Sequence, residues 1–289
     1  MNKGGMRSQV FSGLGSLVVI IGLPVVTLLT DDITCDGLLN NDLLNEVKHY
    51  WSKRAEGYND VNVAELTGDK RLLWQNVILH HAPKKPVLTI LDVGTGPGFF
   101  AVTLAMAGHR VTAVDATPAM LAQAQNNADY YGVDIRLAAA DVHTLPFPDN
   151  HFDMLVTRNV TWNLKQPLAA YQEWRRVLAP GGRLINFDAN WYAHLFNADA
   201  RDGYLRDRQN ARRLKINDHY ANTDTVAMEN IARALPLSRE IRPEWDRHTL
   251  LACGFNQVFI DENIAENLWD DEEKINYAST PMFMVVAEK

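Results

Sequence analysis

Residues 88 to 98, Leu88-Thr89-Ile90-Leu91-Asp92-Val93-Gly94-Thr95-Gly96-Pro97-Gly98, restrict the fold of this chain more than any other stretch. They set an apolar strand against a glycine-rich turn, with an acidic residue close to the strand's end. Without a Cβ, Gly94, Gly96 and Gly98 let the turn take backbone angles closed to other residues and let a ligand lie against the main chain. The segment 99–107 reads as a helix whose N-terminus points free N–H groups at that ligand. A second apolar strand, 109–116, ends in Asp115, about 20 residues past the glycines, where a carboxylate can accept hydrogen bonds from both hydroxyls of a ribose. Strand, glycine turn, helix and second strand together predict a parallel βαβ unit and a nucleotide-like ligand.

A glycine run alone is weak evidence, so its spacing matters. The dinucleotide fingerprint places glycines as Gly-x-Gly-x-x-Gly to seat a pyrophosphate, whereas here they alternate as Gly-x-Gly-x-Gly. Asp92 beside the loop would repel a phosphate. Both features count against a nicotinamide oxidoreductase. The formal net charge of −7 argues against a nucleic-acid partner, because no basic face stands out to neutralise phosphates. Cys35 and Cys253 are too far apart in sequence to suggest a disulfide framework or a zinc set, and no metal site is expected.

Further along, strands are expected at 88–93, 110–115, 135–140, 152–157 and 183–187, with helices near 99–107, 118–131 and 167–178, an alternation that predicts a doubly wound α/β sheet. Pro118 suits the first turn of its helix, Thr117 stands at the cap, and Gly132 can close the helix in a left-handed conformation. Two more strands are expected at 254–260 and 282–287, and a helix near 243–253. The stretch 191–240, rich in Arg, Asp, Asn and aromatics, leaves the carboxyl end of a central strand and reads as a helical lid over a substrate pocket; a solvated surface excursion is the other reading. Residues 8–30 form a 23-residue run without a charge, flanked by Lys3 and Arg7 before it and Asp31 and Asp32 after it. That run reads as an apolar leader or membrane anchor, with a buried N-terminal element also open. The expected organisation is therefore a leader over 1–40 and one catalytic domain over 41–289.

The ordered motifs Leu91-Asp92-Val93-Gly94-Thr95-Gly96-Pro97-Gly98, Val114-Asp115-Ala116-Thr117-Pro118-Ala119-Met120-Leu121 and Ala140-Asp141-Val142-His143-Thr144-Leu145-Pro146-Phe147 resemble the class I S-adenosylmethionine-dependent methyltransferases, as do Phe152-Asp153-Met154-Leu155-Val156 and Val177-Leu178-Ala179-Pro180-Gly181-Gly182-Arg183-Leu184. The nearest likeness is to the small-molecule branch that includes the ubiquinone and menaquinone methyltransferases, and it is strongest over residues 46–190. The resemblance implies a Rossmann-like seven-stranded sheet completed by an antiparallel C-terminal strand pair. It also implies S-adenosyl-L-methionine as cofactor, touching Gly94, Gly96, Gly98, Ala116 and Met120, with Asp115 at the ribose and Asp141 and Val142 at the adenine. Asp92 would balance the methionine ammonium and Asn159 would stand near the methyl. In that family a Trp-x-x-Arg-Ala-x-x-Tyr segment, here from Trp51, folds over the cofactor, which makes Tyr50, Trp51 and Tyr58 candidates for aromatic contact with the sulfonium; for Trp51 and Tyr58 a plain packing role is the alternative. Arg158 reads as an ion-pair partner.

The expectation is a cytoplasm-facing enzyme that transfers a methyl group to a small molecule by in-line displacement, which asks the protein mainly to align reactants and exclude water. Trp162, Trp191 and Tyr192 are substrate candidates. A general base is needed only if the nucleophile must lose a proton, and His194, His219 and Tyr192 are the available candidates, each also readable as a packing residue. Two other readings stay open: a non-catalytic module that binds S-adenosylmethionine, and a membrane-anchored quinone or lipid methyltransferase that uses residues 8–30. Oligomeric state and acceptor atom are not legible.

Overall fold

The computed structural model describes Met1 and residues 36–289 other than Asn222, with side chains of the folded part given from Leu43 onward. The chain enters through a long helix α1 (Asp36–Thr67) and a second helix α2 (Lys70–His81). It then alternates β1 (Thr89–Val93), α3 (Phe99–Met106), β2 (Arg110–Asp115), α4 (Pro118–Tyr131), β3 (Arg136–Ala139), β4 (Phe152–Arg158), α5 (Pro167–Val177) and β5 (Leu178–Asp188). Helices α6 (Ala198–Leu214), α7 (Thr225–Ala234) and α8 (Glu244–Ala252) lead to β6 (Gln257–Asp261), the short α9 (Ala265–Leu268) and α10 (Asp271–Asn276), and β7 (Phe283–Glu288).

The seven strands form one sheet in the order β3-β2-β1-β4-β5-β7-β6. The first five are mutually parallel, and β7 runs antiparallel between β5 and β6. This is the doubly wound Rossmann-like sheet with the expected antiparallel pair. The strand order reverses between β1 and β4, so the crevice outside their carboxyl ends is where such a sheet binds ligands. Both faces of the sheet are covered, which explains why β1, β4 and the second half of β5 are buried on successive residues rather than on alternate ones. On one face Trp74 of α2 packs against Phe99, Phe100 and Phe187. On the other, Tyr171 and Trp174 of α5 fill the space beneath Leu155 and Leu184.

Local chemistry sets the boundaries. Helix α4 spans the expected residues, with Pro118 in its first turn and Gly132 left-handed at φ 64° closing it. Thr117 occupies the cap position, but its side chain makes no cap hydrogen bond; its N–H is instead drawn to Asp115 Oδ1 at 2.8 Å. Strand β5 starts at Leu178, earlier than expected, because Leu178 already pairs with Phe152 across an irregular register ahead of the Pro180-Gly181-Gly182 turn. Helix α1 starts at Asp36, ahead of the boundary expected after residue 40. Among the described residues no helix is long and apolar enough to cross a membrane. The apolar run 8–30, on which the anchor reading rests, lies outside the described residues.

Candidate cofactor and acceptor cavities

The glycine turn joins β1 to α3 at the carboxyl edge of the sheet, and its shape is held from beneath. Thr95 N–H donates to Val114 O at 3.0 Å, tying the turn to β2. Asp115, at the tip of β2, accepts from Gly96 N–H through Oδ2 at 3.0 Å and from Thr117 N–H through Oδ1 at 2.8 Å. Burial pushes its carboxyl pKa up, opposed by those two backbone donors. Gly96 has φ +54°, and a Cβ there would meet the Tyr58 ring at 3.6 Å, so the backbone is bared directly opposite α1. Gly98, also expected at the ligand, has φ +89° and faces Ala124 of α4, whose Cβ would lie 3.0 Å from an added one. It shapes the turn from behind and is not part of the cavity lining.

Above the turn lies a cavity of about 850 Å³, lined by Gly94, Gly96, Asp115, Ala116, Met120, Asp141, Val142 and Asn159 from the sheet side and by Tyr58 from α1. Nine of the expected cofactor residues thus share one cavity. Sequence reasoning missed its roof, where Leu43, Leu44, Val47 and Lys48 from the first turns of α1 close the cavity, together with His143 and Lys165 at its rim. His143 carried a local signal in the Asp141-Val142-His143 spacing. Asp141 Oδ1 accepts from His143 N–H at 3.0 Å and faces His143 Nδ1 at 2.6 Å. The His143 side chain holds the Asp141 carboxyl down at about 2, against its partial burial. One carboxylate oxygen is thereby fixed, which leaves the other for a ligand.

Asp92 sits deeper. It is 2% exposed and accepts from Thr95 Oγ1 at 2.6 Å. Burial raises its pKa to about 7, opposed first by the Thr95 hydroxyl. A smaller cavity of about 290 Å³ opens on it, lined also by Tyr58, Asn62, Gly94 and Arg158. Arg158 is engaged as an ion-pair partner: its guanidinium donates to Glu65 of α1 at 2.9 and 2.8 Å and lies 4.6 Å from the Phe99 ring. That pair fastens the roof helix to the tip of β4.

A third cavity, of about 790 Å³, lies beyond Trp51, Tyr58 and Asn159, which line it as well as the first. Trp162, Trp191 and Tyr192, the substrate candidates, line this one, and so do Tyr50, His194 and His219. Tyr50 was expected at the cofactor but lines this aromatic cavity and not the one above the glycine turn. Its wall is a ladder of rings: Trp162 to Tyr192 at 4.8 Å, Tyr192 to His194 at 5.8 Å, and His194 stacked on Tyr204 at 4.3 Å and 8°. The 191–240 stretch supplies most of the ladder and packs α7 onto α1, so it covers the cavity as a helical lid.

The tryptophans of the ladder hang from one carboxylate. Asp188, fully buried at the end of β5, accepts from Trp162 N–H at 2.7 Å and Trp191 Nε1–H at 3.0 Å. Arg242 neutralises it at 2.8 Å and is itself held by Asp246 at 2.8 Å. Where the cavities meet, Asn159 adopts φ 58°, a left-handed conformation that a non-glycine residue rarely takes, and its Oδ1 is buried without a partner among the described residues. An unpaired buried acceptor at a strained position marks a place prepared for a ligand.

The residues present fit a cationic adenosine-type cofactor: carboxylates stand at the tips of β1, β2 and β3, a bare backbone lies between them, and aromatic rings face the far end. Residues 91–186 match the methyltransferase domain family. The chain is 38% identical over 116 residues to the demethylmenaquinone methyltransferase of Thermus thermophilus, covering 39% of this chain and 53% of that protein. It is 30% identical over 144 residues to a ubiquinone/menaquinone biosynthesis C-methyltransferase of Laribacter hongkongensis, covering 48% of this chain and 57% of that protein. The match thus spans little more than half the length of these curated relatives. In fold it is similar to a crystallised S-adenosylmethionine-dependent methyltransferase from Aquifex aeolicus, with TM-score 0.52 and 19% identity over 82% of this chain and 97% of that one. Its motifs, its fold and the domain match over residues 91–186 make the chain similar to the class I S-adenosylmethionine-dependent methyltransferases. Within that class it resembles the ubiquinone and menaquinone branch.

Proposed function

We propose that this protein transfers a methyl group from S-adenosyl-L-methionine to a small molecule held in the aromatic cavity. The observation that carries the reading is that the cavity above the glycine turn and the aromatic cavity adjoin, sharing Trp51, Tyr58 and Asn159 in their linings. Bound in the first cavity, the cofactor supplies an electrophilic methyl on a positively charged sulfur. Asp115 and Asp141 hold the nucleoside end, and Asp92 balances the ammonium. Tyr58 and Trp51 present ring faces to the cation, an attraction worth about 0.5–2 kcal/mol. The roof of α1 and the lid exclude water and fix the approach line, which for an in-line displacement is most of what a protein must do. The ladder of rings favours a flat acceptor over a fatty chain, since Met228 is the one aliphatic side chain among the described residues that line the aromatic cavity. The test is consumption of S-adenosylmethionine when a metabolite extract is added, followed by mass spectrometry. A product heavier by one methyl supports the reading; cofactor that binds and stays intact identifies a binding module instead.

A further inference from the structure

Eight tyrosine and histidine side chains line the aromatic cavity, among them Tyr192, His194, His219 and Tyr277. Burial pushes the Tyr192 hydroxyl pKa up, as it does that of Tyr277, so either must hand its own proton on as it takes another; of the two, Tyr277 has an imidazole nitrogen within hydrogen-bond distance. His194 is 5% exposed, its Nε2 faces Glu229 at 3.4 Å, and its Nδ1 is buried without a partner among the described residues, so neither ring nitrogen meets a hydroxyl there. His219 is different. Its Nδ1 lies 3.0 Å from Tyr277 Oη, its Nε2 lies 4.0 Å from Glu272, and its side chain is 27% exposed. Both His219 and Tyr277 line the cavity. The segment that carries His219 is held on α10, because Arg208 grips both Asp218 and Asn276, and Asn276 Oδ1 accepts from His219 N–H at 3.3 Å.

We infer that Glu272, His219 and Tyr277 form a relay that removes the proton of a hydroxylated aromatic acceptor. This inference rests on the methyl-transfer reading above and names the acceptor class for it. The acceptor's O–H bond breaks as its proton passes to Tyr277 Oη while the Tyr277 proton moves to His219 Nδ1. The oxygen's electron pair forms the new O–CH3 bond, and the pair of the broken C–S bond stays on sulfur. His219 then returns the proton to water through its exposed edge, while Glu272 stabilises the transient imidazolium. A hydroxyl within hydrogen-bond distance of an imidazole, with a carboxylate 4.0 Å from the ring's other nitrogen, supplies the parts by which a weak acid is activated. An amine acceptor fits less well: Glu229 already faces His194, and Arg54 lines the same cavity as a fixed positive charge. Around His219 stand Glu272, 4.0 Å from Nε2, Asp270, which is paired with Lys70, and Asp218, which is paired with Arg208, so Glu272 is the carboxylate left to meet a transient positive charge on the ring.

The test uses the full chain saturated with S-adenosylhomocysteine and the chromophoric probe 4-nitrocatechol, whose ionised form absorbs in the visible. At a pH just below the probe's own ionisation, binding to the unaltered protein is expected to generate the phenolate band. His219→Gln and Tyr277→Phe should each abolish the band while S-adenosylhomocysteine affinity stays unchanged. With S-adenosylmethionine, His219→Gln should lower catechol methylation by about 100-fold or more, the usual range for a lost general base, and should spare 4-nitrocatechol, which is largely ionised in solution at neutral pH. A phenolate band that persists in both variants overturns the relay, as does equal loss on both acceptors, or methylation of ethanolamine but not of catechol. Failure to bind S-adenosylhomocysteine would instead bring down the parent reading.

Discussion

At the scale of single residues, the candidate site depends on carboxylates whose surroundings differ. Asp92 is buried and its pKa stands at about 7, so it is largely protonated in the empty protein below that pH. A cofactor ammonium needs the ionised form, so S-adenosylhomocysteine affinity should rise between pH 6 and pH 8 and flatten in Asp92→Asn, as calorimetry at several pH values would read. The same shift makes the folded protein bind a proton that the unfolded chain releases near pH 4. Stability of the unliganded protein should therefore fall as pH rises from about 4 to 7. Asp115→Ala removes the acceptor at the tip of β2 and should weaken S-adenosylhomocysteine binding more than tenfold, consistent with about 1.5–3 kcal/mol for hydrogen bonds to a charged acceptor; unchanged affinity would place the ribose elsewhere. Asp92, Gly96, Asp115 and Asp141 were legible because each sits at a fixed step from a strand end. Glu65 was not, since its partner Arg158 lies 93 residues away and nothing local announces the pair. Lys165 at the cavity rim was equally silent.

At the scale of elements, the turn and the roof helix depend on each other. Gly98 combines φ +89° with contact on Ala124, so Gly98→Ala should cost about 1–3 kcal/mol through backbone strain and crowding and lower the melting temperature. A thermal melt no different from that of the parent protein would remove the turn's claim to be tightly built. Helix α1 is tied down through Asn127, whose amide reaches both Asn59 Oδ1 and Pro97 O at 2.8 Å, and through Glu65. Ligand in the first cavity touches the same helix through Leu43, Val47 and Tyr58. Hydrogen exchange of amides 43–62 should therefore slow on adding S-adenosylhomocysteine, more than exchange in α5, which lies away from the cavity. Helix α4 and strand β2 were readable to the residue because proline, glycine and an acidic strand end bound them. The role of α1 was only half readable. The Trp51 to Tyr58 segment stood out, while the roof formed by Leu43, Leu44 and Val47 exists only through tertiary packing.

At the scale of the whole molecule, a buried ionic cluster joins the lid to the sheet. Asp188 and Asp246 flank Arg242, all three side chains at 0% exposure, and Asp188 carries Trp162 and Trp191 into the acceptor cavity. Breaking one partner leaves an uncompensated buried charge, so Asp188→Ala should cost about 3–5 kcal/mol, read as a lower midpoint in urea. A loss below about 1 kcal/mol would mean that the lid is fixed by its apolar contacts alone. The sheet order and class were legible because alternating strands and helices admit few topologies. The aromatic cavity was not, because its lining is drawn from α1, the end of β4, the 191–240 stretch and Tyr277 after α10, segments distant in sequence. The central claim is that the glycine turn, its three carboxylates and the roof of α1 hold S-adenosylmethionine. Calorimetric titration of the full chain with S-adenosylhomocysteine tests it most directly. The account predicts one-to-one binding in the micromolar range that is lost in Asp115→Ala; a folded sample that takes up no ligand would contradict it.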